Sequence, residues 1–128
     1  MIKNNIDMKI YKEKSPLYPN MPECTNYALY TLDDWDEYEK ILKKNGDFLN
    51  TFYSFKEDFI KYIGKTWTNK YDYSHTKKGA PVANYKVIGM EDNNAMLDWY
   101  FIVQNIEDEN DIQYVLVNST DIEEGLID

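Results

Sequence analysis

The sequence predicts an α+β fold: two helices packed on a C-terminal antiparallel β-sheet, with one or two strands ahead of them. Three features carry that prediction. Residues 31–63 place apolar side chains at helical spacing, and residues 82–117 change to short alternating runs split by acidic turns. The chain of 128 residues, 43% hydrophobic and 16% aromatic, is long enough for one core and too short for two, so a single domain over 1–128 is expected.

Each element has its own local cause. Ile6, Met8 and Ile10 alternate with Asp7, Lys9 and Tyr11, which predicts a half-buried strand over residues 5–11. Three prolines at 16, 19 and 22 fix φ and remove donors, so an extended loop follows. Residues 26–30 suit a second short strand. Thr31 then stands as an N-cap, with Asp34 three places on in a capping-box spacing. Asp33, Asp34, Asp36 and Glu37 fill the early turns and Lys40, Lys43 and Lys44 the last, which complements the helix dipole. Asp36–Lys40 and Glu39–Lys43 are i,i+4 pairs with the acid first. Leu32, Trp35, Tyr38, Ile41 and Leu42 form the apolar stripe, and Asn45 with Gly46 ends the helix.

Phe48, Phe52, Phe55, Phe59 and Ile63 continue at spacings of four, three, four and four, predicting a second helical face that Gly64 stops. The four phenylalanines are assigned to the core, and Ser54 with Glu57 offers an internal cap that would split the segment in two. Residues 65–68 suit a short strand and 71–81 a loop. Residues 82–90, 96–106 and 112–117 read as three strands, the middle one with Leu97, Trp99, Phe101 and Val103 on one face. Residues 91–94 and 107–110 are turn-rich, so consecutive hairpins are the economical connection, and the short strands allow curling into a small SH3-like barrel. Residues 119–121 suit a last helical turn.

Charge is distributed unevenly. The net charge of −9 comes from 23 acids against 14 bases, and every base is lysine. Lysine is a point charge without arginine's planar fork, which weighs against a phosphate-reading enzyme or a sequence-specific nucleic-acid reader. Residues 91–128 carry eleven acids and no base, whereas residues 65–90 carry five lysines and one acid. Ordinary surfaces intersperse the two signs. The plainer reading of the acidic segment is a set of soluble hairpin turns guarding a sheet edge. The sharper reading is a negative surface for a basic partner, imitating the phosphate array of DNA, which carries about one charge per 1.7 Å of axis. Glu91, Asp92, Asp98, Glu107, Asp108, Glu109, Asp111, Asp121, Glu123 and Glu124 are its candidate partner-binding residues.

The basic stretch supports a competing expectation. Lys65, Lys70, Lys77, Lys78 and Lys86 are interleaved with aromatics, so Trp67, Tyr71, Tyr73, His75, Lys77 and Lys78 form a candidate site for a nucleotide-like ligand by stacking plus charge. The plainer reading makes these lysines an internal complement to the acidic strands.

Chemistry finds little support. His75 is the only histidine and Cys24 the only cysteine, which excludes two-histidine metal motifs, a disulfide framework and a cysteine zinc site. A Cys24–His75 dyad is formally open, but nothing flanking Cys24 would stabilise a thiolate. The five glycines, at 46, 64, 79, 89 and 125, form no phosphate-cradling or nucleophile-elbow motif. Residues 107–111 offer oxygen ligands without the glycine and distal glutamate of a calcium loop. No catalytic residue, metal or cofactor is therefore expected.

Asn, Ile, Lys and Tyr, whose codons are AT-rich, account for 51 residues, as expected from the AT-rich genome of a bacterium or its phage. The start has no signal-peptide hydrophobic stretch and no run approaches a membrane span, so a cytoplasmic protein with no membrane partner is expected. Together these features predict a non-enzymatic acidic protein-binding module, an inhibitor from a phage or mobile element. It would occlude the basic surface of a host nucleic-acid-binding protein or nuclease, with no direct nucleic-acid contact.

Overall fold

The computed structural model describes residues 9–13, 24–71, 81–93, 98–117 and 120–126. In chain order they form β1 (Lys9–Glu13), β2 (Cys24–Leu29), α1 (Leu32–Asn45), α2 (Asn50–Tyr62), β3 (Thr66–Thr68), a 3₁₀ turn (Asn69–Tyr71), β4 (Asn84–Asn93), β5 (Asp98–Asn105), β6 (Ile112–Leu116) and the short α3 (Thr120–Gly125). All strand pairs are antiparallel, in the order β1-β2-β4-β5-β6, with β3 paired to the start of β4. The fold is α+β as expected. Among the described residues the sheet is open, with β1 and β6 at its two edges, so the barrel expectation is not met.

α1 forms where the sequence places it. Thr31 Oγ1 accepts from the Asp34 backbone N–H at 3.2 Å, and Asp34 Oδ2 accepts from the Thr31 and Tyr30 backbone N–H groups at 3.1 and 2.7 Å. Aspartate thus completes the capping box that usually takes glutamate. Gly46 ends the helix at φ 77°, the left-handed conformation that suits a residue without Cβ. The Glu39–Lys43 pair forms at 2.8 Å. Asp36 instead lies 3.7 Å from Lys56 on α2, while Lys40 lies 3.5 Å from Glu37.

α2 is one continuous helix, so the internal cap at Ser54 is not used. Phe52, Phe55 and Phe59 are buried as expected, and Phe48 is not: it is 94% exposed. The correction has a local reason. Phe48 precedes the N-cap, Leu49, so the helical period that aligns the other three does not reach it. Phe48→Ser is expected to change stability by less than about 0.5 kcal/mol, whereas Phe59→Ala should cost about 3–5 kcal/mol; urea denaturation of both variants checks the contrast.

The core lies between the helices and one face of the sheet. Trp35 of α1 stacks on Trp99 of β5 at 5.6 Å between ring centroids, Phe55 of α2 stacks on the same indole at 4.7 Å, and Tyr62 meets Phe101 edge-on at 5.3 Å. Register places Val87, Met90 and Asp92 of β4 opposite Val103, Phe101 and Trp99 of β5 on that face.

A β-bulge sets this parity. The β4–β5 register slips between Val87 and Gly89, so Ile88 is the additional residue and the inward alternation moves from 85 and 87 to 90 and 92. Gly89 is required there by close approach, since a Cβ would lie 2.6 Å from the Leu29 carbonyl oxygen. β4 then continues to Asn93, which corrects the turn expected over residues 91–94.

Candidate functional site

Glu91 and Asp92 were expected on an acidic outer surface, and the structure buries both at 5% and 9% exposure. They lie inside β4, successive residues pointing to opposite faces of the sheet. Asp92 faces the core, where the Tyr38 hydroxyl of α1 donates to its Oδ2, and Tyr38 in turn stacks on Tyr27 at 4.3 Å. Burial raises the Asp92 carboxyl to about 6 despite the opposing effect of the Tyr38 hydrogen bond. The Tyr38 phenol is raised by burial and by the facing Asp92 charge. Glu91 lies on the opposite face with the buried Asn26, Ala28 and Ile102, and burial, with Asp92 nearby, raises it to about 7. These perturbed carboxyls are enclosed by the fold and offer nothing to a partner's surface.

The β5–β6 hairpin retains the expected acidic character. Its frame is held internally. Asn105 N–H donates to the Asp111 carbonyl at 2.9 Å, Asp111 N–H to that of Asp108 at 3.0 Å, and Asp108 N–H to that of Asn105 at 3.3 Å. Two Asx turns tighten it: Asn105 Oδ1 accepts from the Glu107 N–H at 2.8 Å, and Asp108 Oδ1 from the Asn110 N–H at 3.1 Å. Gln104 Nε2 donates to the Glu109 carbonyl at 3.0 Å. Glu107, Asp108 and Glu109 are exposed at the tip of this frame.

Asp111 belongs to the frame rather than to the exposed surface. Its Oδ2 accepts from the Tyr85 hydroxyl at 2.6 Å and from Asn105 Nδ2 at 3.0 Å, and its Oδ1 from Gln113 Nε2 at 2.7 Å. Those bonds, Tyr85's first, lower its pKa below the usual carboxylate range. Both oxygens are thus engaged within the protein, so the side chain serves the hairpin's frame.

Glu123 and Glu124 are exposed on α3. Asp98 lies in β5 and Asp121 in α3, where only their backbone is described. The ion pairs found among the described residues join α1 side chains to one another or to α2; none involves the hairpin or α3 acids.

Beside the hairpin is a cleft of about 310 Å³ lined by Val82, Ala83, Asn84, Asn105, Ile106 and Glu107. One wall is fixed by Asn69, whose Oδ1 accepts from the Ala83 N–H at 2.9 Å and whose Nδ2 donates to the Pro81 carbonyl at 3.2 Å. The two walls are joined where Ile106 N–H donates to the Asn84 carbonyl at 3.0 Å. Val82 and Ile106 are 65% and 55% exposed. Sequence reasoning missed this cleft; Asn105 two residues before Glu107 signals the Asx turn, but no local pattern joins residue 82 to residue 106.

The alternative ligand site loses Trp67 as a stacking surface. Trp67 is 1% exposed, tilted against Tyr85 at 5.7 Å between centroids, and bridged to Leu126 at the end of α3. Its indole is a core surface because β3 pairs on one side with β4 and α3 closes over it on the other. Tyr71 ends the 3₁₀ turn, with only its backbone described, and Tyr73, His75, Lys77 and Lys78 lie outside the described residues.

Among the described residues no cluster of three metal-ligating side chains forms, and no helix is long and apolar enough to cross a membrane. No family model, curated protein or solved structure matches this chain.

Proposed function

We propose that this chain is a non-enzymatic acidic binding module whose β5–β6 hairpin engages and occludes a basic, nucleic-acid-binding surface of a partner protein. The observation that carries the reading is the construction of the hairpin. Its backbone and framing side chains satisfy one another, while Glu107, Asp108 and Glu109 are exposed on it, outside the ion pairs found among the described residues. Carboxylates held on a rigid frame lose little conformational freedom on binding, and a one-sign field accelerates encounter with a cation-rich surface. The exposed pair on α3, Glu123 and Glu124, adds to the same field. The buried positions of Glu91 and Asp92 leave, of the acids in residues 91–128 whose side chains are described, those of the hairpin and α3 at the surface.

A tagged pull-down from a bacterial lysate, washed at about 0.05 M and then 0.5 M salt, tests this, since the Debye length falls from well over 10 Å to about 4 Å across that range. A basic nucleic-acid-binding protein retained at low salt and released at high salt is the expected result. With that partner, Glu107→Gln, Asp108→Asn and Glu109→Gln together are expected to slow association several-fold and to change dissociation less. An association rate unchanged at low salt overturns the proposal. Asparagine at 108 keeps the acceptor for the Asn110 N–H, so the frame is preserved.

A further inference from the structure

The cleft beside the hairpin has the chemistry of an anchor pocket. Its volume of about 310 Å³ sits at the low end of ligand sites, which span roughly 300–1,000 Å³, so it suits one or two side chains better than a large cofactor. Its walls are fixed by hydrogen bonds from Asn69 and between Ile106 and Asn84, so it is formed before anything enters. Two aliphatic side chains, Val82 and Ile106, are more than half exposed at it. Glu107 lines it directly, and Asp108 and Glu109 follow on the same hairpin. Exposed aliphatic surface with carboxylates along one side matches the composition of an interface centre, with an apolar middle and a polar edge.

We infer that this cleft receives an aliphatic side chain of the partner, carried on a segment in which lysine or arginine flanks that residue. The inference rests on the acidic-module reading and deepens it: the carboxylates select a basic segment, and the cleft selects among basic segments by the residue between the charges. Charge alone would hold any polycation equally. The apolar walls add a preference that salt does not screen, because burial of aliphatic surface is not a Coulombic effect.

Amide chemical-shift titration of the full ¹⁵N-labelled chain with two capped synthetic peptides tests it: Lys-Lys-Leu-Lys-Lys, and the same peptide with serine in place of leucine. At about 0.05 M salt the leucine peptide is expected to shift the amides of Val82, Ala83, Asn84, Ile106 and Glu107, and to bind about tenfold more tightly than the serine peptide. Ile106→Ser, a change at an exposed side chain, is expected to remove most of that difference while the spectrum elsewhere stays that of the folded protein. Equal binding of both peptides, with shifts confined to residues 107–111, overturns the cleft inference and leaves the acidic-module reading intact. No shift from either peptide overturns both. A concentration-dependent dimer whose interface maps to the same amides, read by size-exclusion chromatography and dilution, assigns the cleft to a second copy of the chain and also overturns the inference.

Discussion

Raising the pH from 5 to 8 is expected to destabilise this protein, by about 2–3 kcal/mol through Glu91 and about 1–2 kcal/mol through Asp92, two buried carboxyls. Glu91 and Asp92 are raised by burial to about 7 and about 6 in the folded chain, above the ordinary values of 4.5 and 3.8. The folded state therefore binds these two protons more tightly than the unfolded state does. Their contribution is complete below the unfolded values and is lost as pH rises through about 6 and then 7. The opposite sign applies to Asp111, lowered mainly by its Tyr85 hydrogen bond; its contribution is present above the unfolded value and is lost on acidification. Stability is therefore expected to climb from pH 8 down to about pH 4, with the melting temperature at pH 8 lower than at pH 5 by roughly 10–20 °C.

Relief of the net −9 acts in the same direction, so a control must separate local from global charge. Glu91→Gln with Asp92→Asn should raise the melting temperature at pH 8 and flatten its slope between pH 5 and 8. The triple hairpin variant removes three charges from exposed positions and should leave the slope standing. Equal flattening by both variants would show that net charge, not burial, sets the pH dependence. Tyr38→Phe refines the assignment: it deletes the hydroxyl donated to Asp92, so it should cost more at pH 8, where an ionised carboxylate is stranded, than at pH 5.

The elements that the sequence predicts well are those whose causes are local. α1 is specified within its own residues by Thr31, Asp34, the ordered charges and Gly46, and it forms between the expected limits. The strands were legible as segments, but their faces were not. The bulge at Ile88 depends on the packing of Gly89 against Leu29, a residue sixty positions away in sequence, and it decides that Asp92 turns inward. Two adjacent acids followed by two asparagines read locally as an exposed turn, because carboxylates are rarely buried without a partner. The partner that keeps Asp92 inside, Tyr38, sits on a helix and is reached only through the tertiary fold.

The candidate surface divides in the same way. The acidity of residues 107–109 is compositional and was visible. The structural role of Asp111 required the positions of Tyr85, Asn105 and Gln113 around it, and the cleft required β4 and β5 to meet in register at Asn84 and Ile106. Trp67 was misread because aromatic residues among lysines resemble a stacking platform, whereas its burial depends on α3, nearly sixty residues later. That contact also carries a severe steric constraint.

Gly125→Ala is expected to destabilise the docking of α3 by about 3 kcal/mol, the upper end of the range for overpacking. A Cβ at Gly125 would lie 2.1 Å from Trp67 Nε1, 2.5 Å from its Cδ1 and 2.6 Å from the Thr68 carbonyl oxygen. Trp67 cannot readily retreat, since it is 1% exposed and packs against Tyr85. The requirement at 125 is space, not backbone freedom. Gly46 provides the contrast, with φ 77° and nothing within 4 Å of an added Cβ, so Gly46→Ala should cost only about 1 kcal/mol through strain. Hydrogen exchange distinguishes the two mechanisms. Gly125→Ala should accelerate exchange over residues 122–126 and around Trp67 before it affects α1, whereas Gly46→Ala should act at the α1 C-terminus. Unchanged protection around Trp67 in Gly125→Ala would show that α3 does not close over the indole. Because α3 carries Glu123 and Glu124, the same variant is also expected to weaken partner binding if those carboxylates contribute to the acidic surface. A full-affinity Gly125→Ala variant with an undocked α3 would confine that surface to the hairpin.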